Sequence, residues 1–87
     1  MDFQNKSEIL KALGHPARLK IVIGIIEKQE CNVHTIAENL MLPQSTISQH
    51  LSILRAKGVL EFHKKGVEVC YQVKSALVKE IIQCLKK

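Results

Sequence analysis

Between Thr35 and Leu60 the chain carries two short stretches of helical period separated by only three residues, Met41-Leu42-Pro43. The second stretch has Ile47, Leu51 and Leu54 on one side, at the spacing of a buried helix face. Its other side is crowded with Gln44, Ser45, Thr46, Ser48, Gln49, His50, Ser52 and Arg55. A helix that merely meets solvent uses Glu and Lys there. Small hydroxyls, amides and Arg instead suit hydrogen bonding to base edges and phosphates. Two short helices joined by a tight turn, with such a face on the second, read as a helix-turn-helix.

The flanking segments complete the architecture. The spacing predicts a short helix over residues 6–14, with Ile9, Leu10 and Leu13 on one face and Gly14 as its stop. His15-Pro16 restarts the chain, because proline at the first turn of a helix loses no hydrogen bond there. That second helix runs to about Lys28. Leu19, Val22, Ile23 and Ile26 carry its core-facing spacing, and Ile21 and Ile25 add a flank, so it should be buried from two sides. Asn32 is suited to cap the third helix, whose body is Thr35 to Leu40. Gly58 fits a left-handed position after the fourth helix, and Lys57 the negative helix end.

The period then changes to two. Leu60 and Phe62, then Val67, Val69, Tyr71 and Val73, alternate on either side of His63-Lys64-Lys65-Gly66, which predicts a β-hairpin with a basic tip. A last helix begins at about Ser75, with Leu77, Val78, Ile81, Ile82 and Leu85 apolar. The expected fold class is mainly α (α+β): a winged helix-turn-helix of about five helices and a two-stranded wing, forming one domain over residues 1–87. Residues 1 and 87 fall within that expectation.

Totals narrow the function. The net charge of +5 favours a polyanionic partner. From residue 31 to 66 only Glu38 and Glu61 are acidic, against Arg55, Lys57, Lys64 and Lys65. No apolar run is long enough for a membrane span, and the start lacks the apolar stretch of a signal peptide, so a cytoplasmic location is expected. The chain is 46% hydrophobic with few aromatics, and a small aliphatic core of this kind is readily completed by dimerisation. The first and last helices offer the apolar faces for a homodimer. Two-fold symmetry would set two recognition helices one DNA turn apart, on an inverted-repeat operator in double-stranded DNA. Gln44, Ser45, Thr46, Ser48, Gln49, His50 and Arg55 are the expected groove contacts, and Lys64 and Lys65 the backbone contacts. His50 can also be accommodated by packing at the helix flank. No Ser-His-Asp set, carboxylate pair or phosphate loop supports an enzyme.

Ala12-Leu-Gly-His-Pro-Ala-Arg-Leu-Lys-Ile21, Pro43-Gln-Ser-Thr-Ile-Ser-Gln-His-Leu51, Leu54-Arg-Ala-Lys-Gly-Val-Leu60 and the Gly66–Val73 wing resemble the ArsR family of transcriptional repressors. The resemblance covers nearly the whole chain. It implies a winged-helix homodimer that represses a promoter and is released by a metal, metalloid or sulfur signal. The family's sensing patterns match poorly here. Where metal sensors carry Cys-x-Cys at the start of helix three, this chain has Asn32 and His34, with Cys31 one residue too early. The Asp and His that other members carry on the last helix are absent from residues 75–87. Persulfide-responsive members pair a cysteine in helix two with one in the last helix; Ile23 occupies the first position, and Cys84 could supply the second.

No cofactor is required by this reading, though a metal ion or thiol modification could act as effector. Cys31 and His34, three apart at a helix start, form a weak pair of metal-ligand candidates. The helix start would also activate Cys31 as a nucleophile. Cys31 and Cys84 are the sensing candidates, through a disulfide or polysulfide link. Cys84 lies beside an apolar stripe and suits packing equally, whereas Cys70 reads as a small apolar filler. The alternatives to a thiol-released repressor are an effector-independent or metal-responsive one, and a winged helix used only for protein contacts.

Overall fold

A computed structural model describes residues 2–86; positions 1 and 87 lie outside the described residues. The order is α1 (Phe3–Leu13), α2 (Pro16–Lys28), α3 (Val33–Leu40), α4 (Gln44–Ala56), β1 (Leu60–Lys65), β2 (Glu68–Val73) and α5 (Ala76–Leu85). These are the five helices and two-stranded wing expected from the sequence, in the expected order.

Local chemistry sets most boundaries. Asp2 accepts the Asn5 amide at 3.0 Å, so α1 begins three residues before the expected start at residue 6. The His15 ring accepts the Ala17 amide at 3.1 Å, which makes His15 the cap of α2, with Pro16 directly after it. Asn32 caps α3 by accepting the Thr35 amide at 2.8 Å. Ser75 caps α5 through the Val78 amide. Met41 takes a left-handed conformation (φ 57°) to end α3, and Gly58 takes one (φ 82°) after α4.

The core is aliphatic. Ile21, Val22, Ile36, Ile47, Leu51, Leu54, Leu60, Val78 and Ile82 are all buried, joining every helix except α1 to the base of the wing; Ile9, Ala12 and Leu13 add α1. One expectation needs correction. On α2 the deepest stripe is Ile21, Val22 and Ile25, while Leu19, Ile23 and Ile26 are only partly buried. The cause is that α2 is packed by α1, α3, α4 and β2 together, so its burial does not follow one apolar face. Leu10 of α1 is 55% exposed and Leu85 of α5 56%, so neither belongs to the core of one chain.

The hairpin also differs in detail. β1 pairs with β2 antiparallel from Leu60↔Val73 to Lys65↔Glu68. His63, Lys64 and Lys65 are therefore strand residues, and the turn is Gly66-Val67, with Gly66 at φ 62°. A two-residue turn of this kind demands positive φ, which glycine adopts without steric cost.

The loop from α2 to α3 is held from both sides. The Glu30 amide donates to the Gly24 carbonyl at 3.4 Å, and the buried Glu30 carboxylate accepts from Asn39 of α3. Gly24 lets that carboxylate lie on α2: a β-carbon there would come within 3.2 Å of its Cδ and closer still to Oε1. The loop is thereby fixed against both helices, and Cys31 with it.

Candidate nucleic-acid interface

Helix α4 is anchored by Ile47, Leu51 and Leu54, all 0% exposed. This turns Gln44, Ser45, Ser48, Gln49 and Ser52 outward to solvent, with Thr46 partly covered. The outward row offers hydroxyls and amides with no carboxylate among them. Helix α3 lies against α4, and a side-chain hydrogen bond links them: Gln44 Nε2 donates to His34 Nδ1 at 3.0 Å, while His34 Nε2 lies 3.3 Å from Glu38. His34 therefore orients the first residue of α4.

His50 sits differently from its neighbours. It is partly buried against α2, where Arg18 Nε donates to its Nδ1 at 3.3 Å and the His15 ring lies 4.7 Å away between centroids. Arg18 also reaches the Ala12 carbonyl at 3.3 Å. Burial, then His15 and Arg18, push the His50 pKa below its ordinary value. Of the two placements open in the sequence, the structure adopts packing at the helix flank, with one ring nitrogen already committed. Arg18 gives no signal of this role in the sequence, because its partner is far away along the chain.

Arg55, at the end of α4, lays its guanidinium over the Phe62 ring at 4.0 Å from the centroid. This cation–π contact ties the recognition helix to β1. Phe62 in turn meets Tyr71 across the hairpin, with centroids 5.9 Å apart. Beyond this joint, Lys64 and Lys65 are exposed near the wing end. As adjacent strand residues they point to opposite faces of the hairpin, which a basic tip would not require. Lys57 is not available in the same way, since it pairs with Glu8 at 3.1 Å.

The cysteines are arranged otherwise than expected. Cys31 shares a cavity of about 550 Å³ with Cys70, and Cys84 and His34 are not among the residues lining it. His34 is exposed and engaged with Gln44 and Glu38. Cys84 is exposed on α5. Cys70 lines the same cavity as Cys31, and Cys70, then burial, raises the Cys31 pKa. Among the described residues no group of three metal-ligating side chains occurs, and no helix is long and apolar enough to cross a membrane.

The model for bacterial regulatory proteins of the arsR family matches residues 15–61, which span α2 through the start of the wing. This chain belongs to the arsR family. It is 41% identical over 85 residues to the transcriptional repressor PagR of Bacillus anthracis, covering 98% of this chain and 85% of that protein. The crystal structure of PagR superposes with a TM-score of 0.90, covering 98% of this chain and 97% of PagR. HlyU from Vibrio cholerae N16961 superposes at 0.88 with 32% identity, over 98% of this chain and 94% of that one. The repressor SmtB of Mycobacterium tuberculosis is 44% identical over 66 residues, covering 76% of this chain and 48% of SmtB. As a member of the arsR family the chain is a DNA-binding transcriptional repressor, not an enzyme.

Proposed function

We propose that this arsR-family chain acts in the cytoplasm as a homodimer on an inverted-repeat operator, repressing its own or a neighbouring operon, and that a thiol-directed signal releases it. The observation that carries the DNA reading is the outward face of α4. Gln44, Ser45, Ser48 and Gln49 offer neutral donors and acceptors in a row, on a helix whose other side is fully buried. Such a helix enters the major groove as a rigid body, so its side chains meet base edges in fixed register. Thr46 and Arg55 flank this row. His50 serves it from behind, through Arg18 and His15. Lys64 and Lys65 hold phosphates on either side of the wing.

Dimerisation is supported by the apolar surface one chain leaves uncovered on its terminal helices: Phe3 is 73% exposed, with Leu10 and Leu85 also outside the core. Two-fold pairing through α1 and α5 would cover these groups and set two α4 helices about 34–36 Å apart, one turn of DNA.

The test is fluorescence anisotropy of the reduced protein on a duplex from its own promoter, beside a scrambled duplex of equal length. Preferential binding to the promoter duplex is expected, and Gln49→Ala should narrow that preference. Equal loss by Gln49→Ala on both duplexes would remove Gln49 from base reading. Equal binding of the unaltered protein to both would overturn the operator reading.

A further inference from the structure

The fold brings together two cysteines that the sequence keeps far apart. Cys31 lies in the loop between α2 and α3, directly before the Asn32 cap that opens the helix-turn-helix. Cys70 lies on β2, opposite His63 of β1. The Tyr71 amide donates to the Cys31 carbonyl at 2.7 Å, which lays the loop beside the strand as a neighbouring backbone. The bond joins the Cys31 carbonyl to the peptide between Cys70 and Tyr71, so the two cysteines are neighbours across it. Both thiols are partly buried and open onto one cavity, which Ile25, Ile26 and Lys79 also line. A small molecule can therefore reach either sulfur. Cys70, then burial, raises the Cys31 pKa above that of an ordinary cysteine.

We propose that Cys31 and Cys70 form a dithiol modification site, which low-molecular-weight disulfides close into an intramolecular bond that displaces the wing from the helix-turn-helix. One thiolate attacks a sulfur of the small disulfide RSSR, forming a mixed disulfide and expelling RS⁻. The second thiolate then attacks the protein sulfur of that mixed disulfide and expels another RS⁻. The two electrons go to RSSR, which leaves as two RSH carrying the two protons of the cysteine thiols. Closure brings the sulfurs to about 2.05 Å, closer than two unbonded sulfurs can approach. The middle of β2 must follow, and β1 with it through the His63↔Cys70 pairing. The next pairs towards the turn are Lys64↔Val69 and Lys65↔Glu68, so a shift at Cys70 is carried to Lys64 and Lys65. The effect on DNA rests on the wing contacts proposed above; the bond itself does not.

The test uses the full chain carrying Cys84→Ser, equilibrated in reduced and oxidised glutathione, quenched by alkylation and digested with trypsin. Cleavage after Lys and Arg puts Cys31 and Cys70 on separate fragments, residues 29–55 and 66–74. The expected product is the two fragments joined, from a monomeric chain lighter by two hydrogens. A Cys70→Ser variant, with its fold checked by circular dichroism, should stop at a mixed disulfide. Links only between chains, or no link at any ratio, would overturn the proposal. So would a bond to Cys84 in the unaltered chain in place of Cys70. The closed protein should bind promoter DNA more weakly, with its salt dependence reduced by the share the wing lysines supply; reductant should restore both. Closure with unchanged DNA binding would overturn the switching role. Failure of the reduced protein to bind DNA would instead count against the operator reading, leaving the bond to be judged by the fragments.

Discussion

Replacing Lys64 by Ala should weaken DNA binding on every sequence and flatten its dependence on salt. Lys64 faces Val69 across the hairpin, whereas Lys65 faces Glu68, whose carboxylate offsets part of its field. Both lysines are exposed and point to opposite faces, so Lys64 should carry the larger share. Each phosphate contact contributes about 0.9 to the slope of log K against log salt concentration. A dimer loses two contacts per substitution, so Lys64→Ala should lower the magnitude of the slope by about 1.8. At about 0.15 M salt, two such contacts correspond to roughly thirtyfold in affinity. Lys65→Ala should cost less on both counts. The assay is anisotropy on a promoter duplex and a scrambled duplex across a salt series. An unchanged slope for Lys64→Ala would take the wing off the DNA. A larger effect of Lys65→Ala would refute the argument from the cross-strand carboxylate.

Two further outcomes follow from the core and from the histidine pair. Leu51→Ala empties a fully buried site behind the recognition helix, at a cost of about 3 kcal/mol. With a slope of about 1.5 kcal/mol per M, the urea midpoint should fall by about 2 M at fixed protein concentration; a change under about 0.5 M would mean that the site collapses around the loss. Stability should also decline on acidification through His50. Its folded pKa lies below the unfolded value of about 6.5, so the unfolded chain binds the proton first. The contribution is complete above that value and is lost as pH falls below it. Protonation would also set a cation against Arg18, which now donates to the His50 ring. His50→Asn should lose less melting temperature than the unaltered protein between pH 7.5 and 5.5; parallel curves would exclude His50 as the source. Glu8, held below the ordinary carboxylate range by Lys57, acts at lower pH than this window.

Much of the site could be read from the chain because its signals are local. Asn32 and Ser75 cap helices by reaching amides three residues on. Ile47, Leu51 and Leu54 repeat at helical pitch, which fixes the inward side of α4 and hence the outward row of Gln44, Ser45, Ser48 and Gln49. The change to period two after Gly58 announces the hairpin, although Gly66-Val67, not the lysines, makes its turn. Periodicity says which side chains alternate, but the last paired residue depends on how the turn closes.

The sequence by itself determined the order of the elements, the recognition helix and its polar row, since each follows from interactions within a few residues. Tertiary structure decided what depends on distant partners. His50 turns to Arg18 because α2 packs behind α4, and Arg55 settles on Phe62 because β1 returns past the end of α4. Leu10 remains outside the core because α1 has apolar surface on a side that the other elements do not cover. Cys31 meets Cys70 because β2 runs beside the loop into α3. Such pairings depend on the packing of whole elements, and no spacing along the chain encodes them.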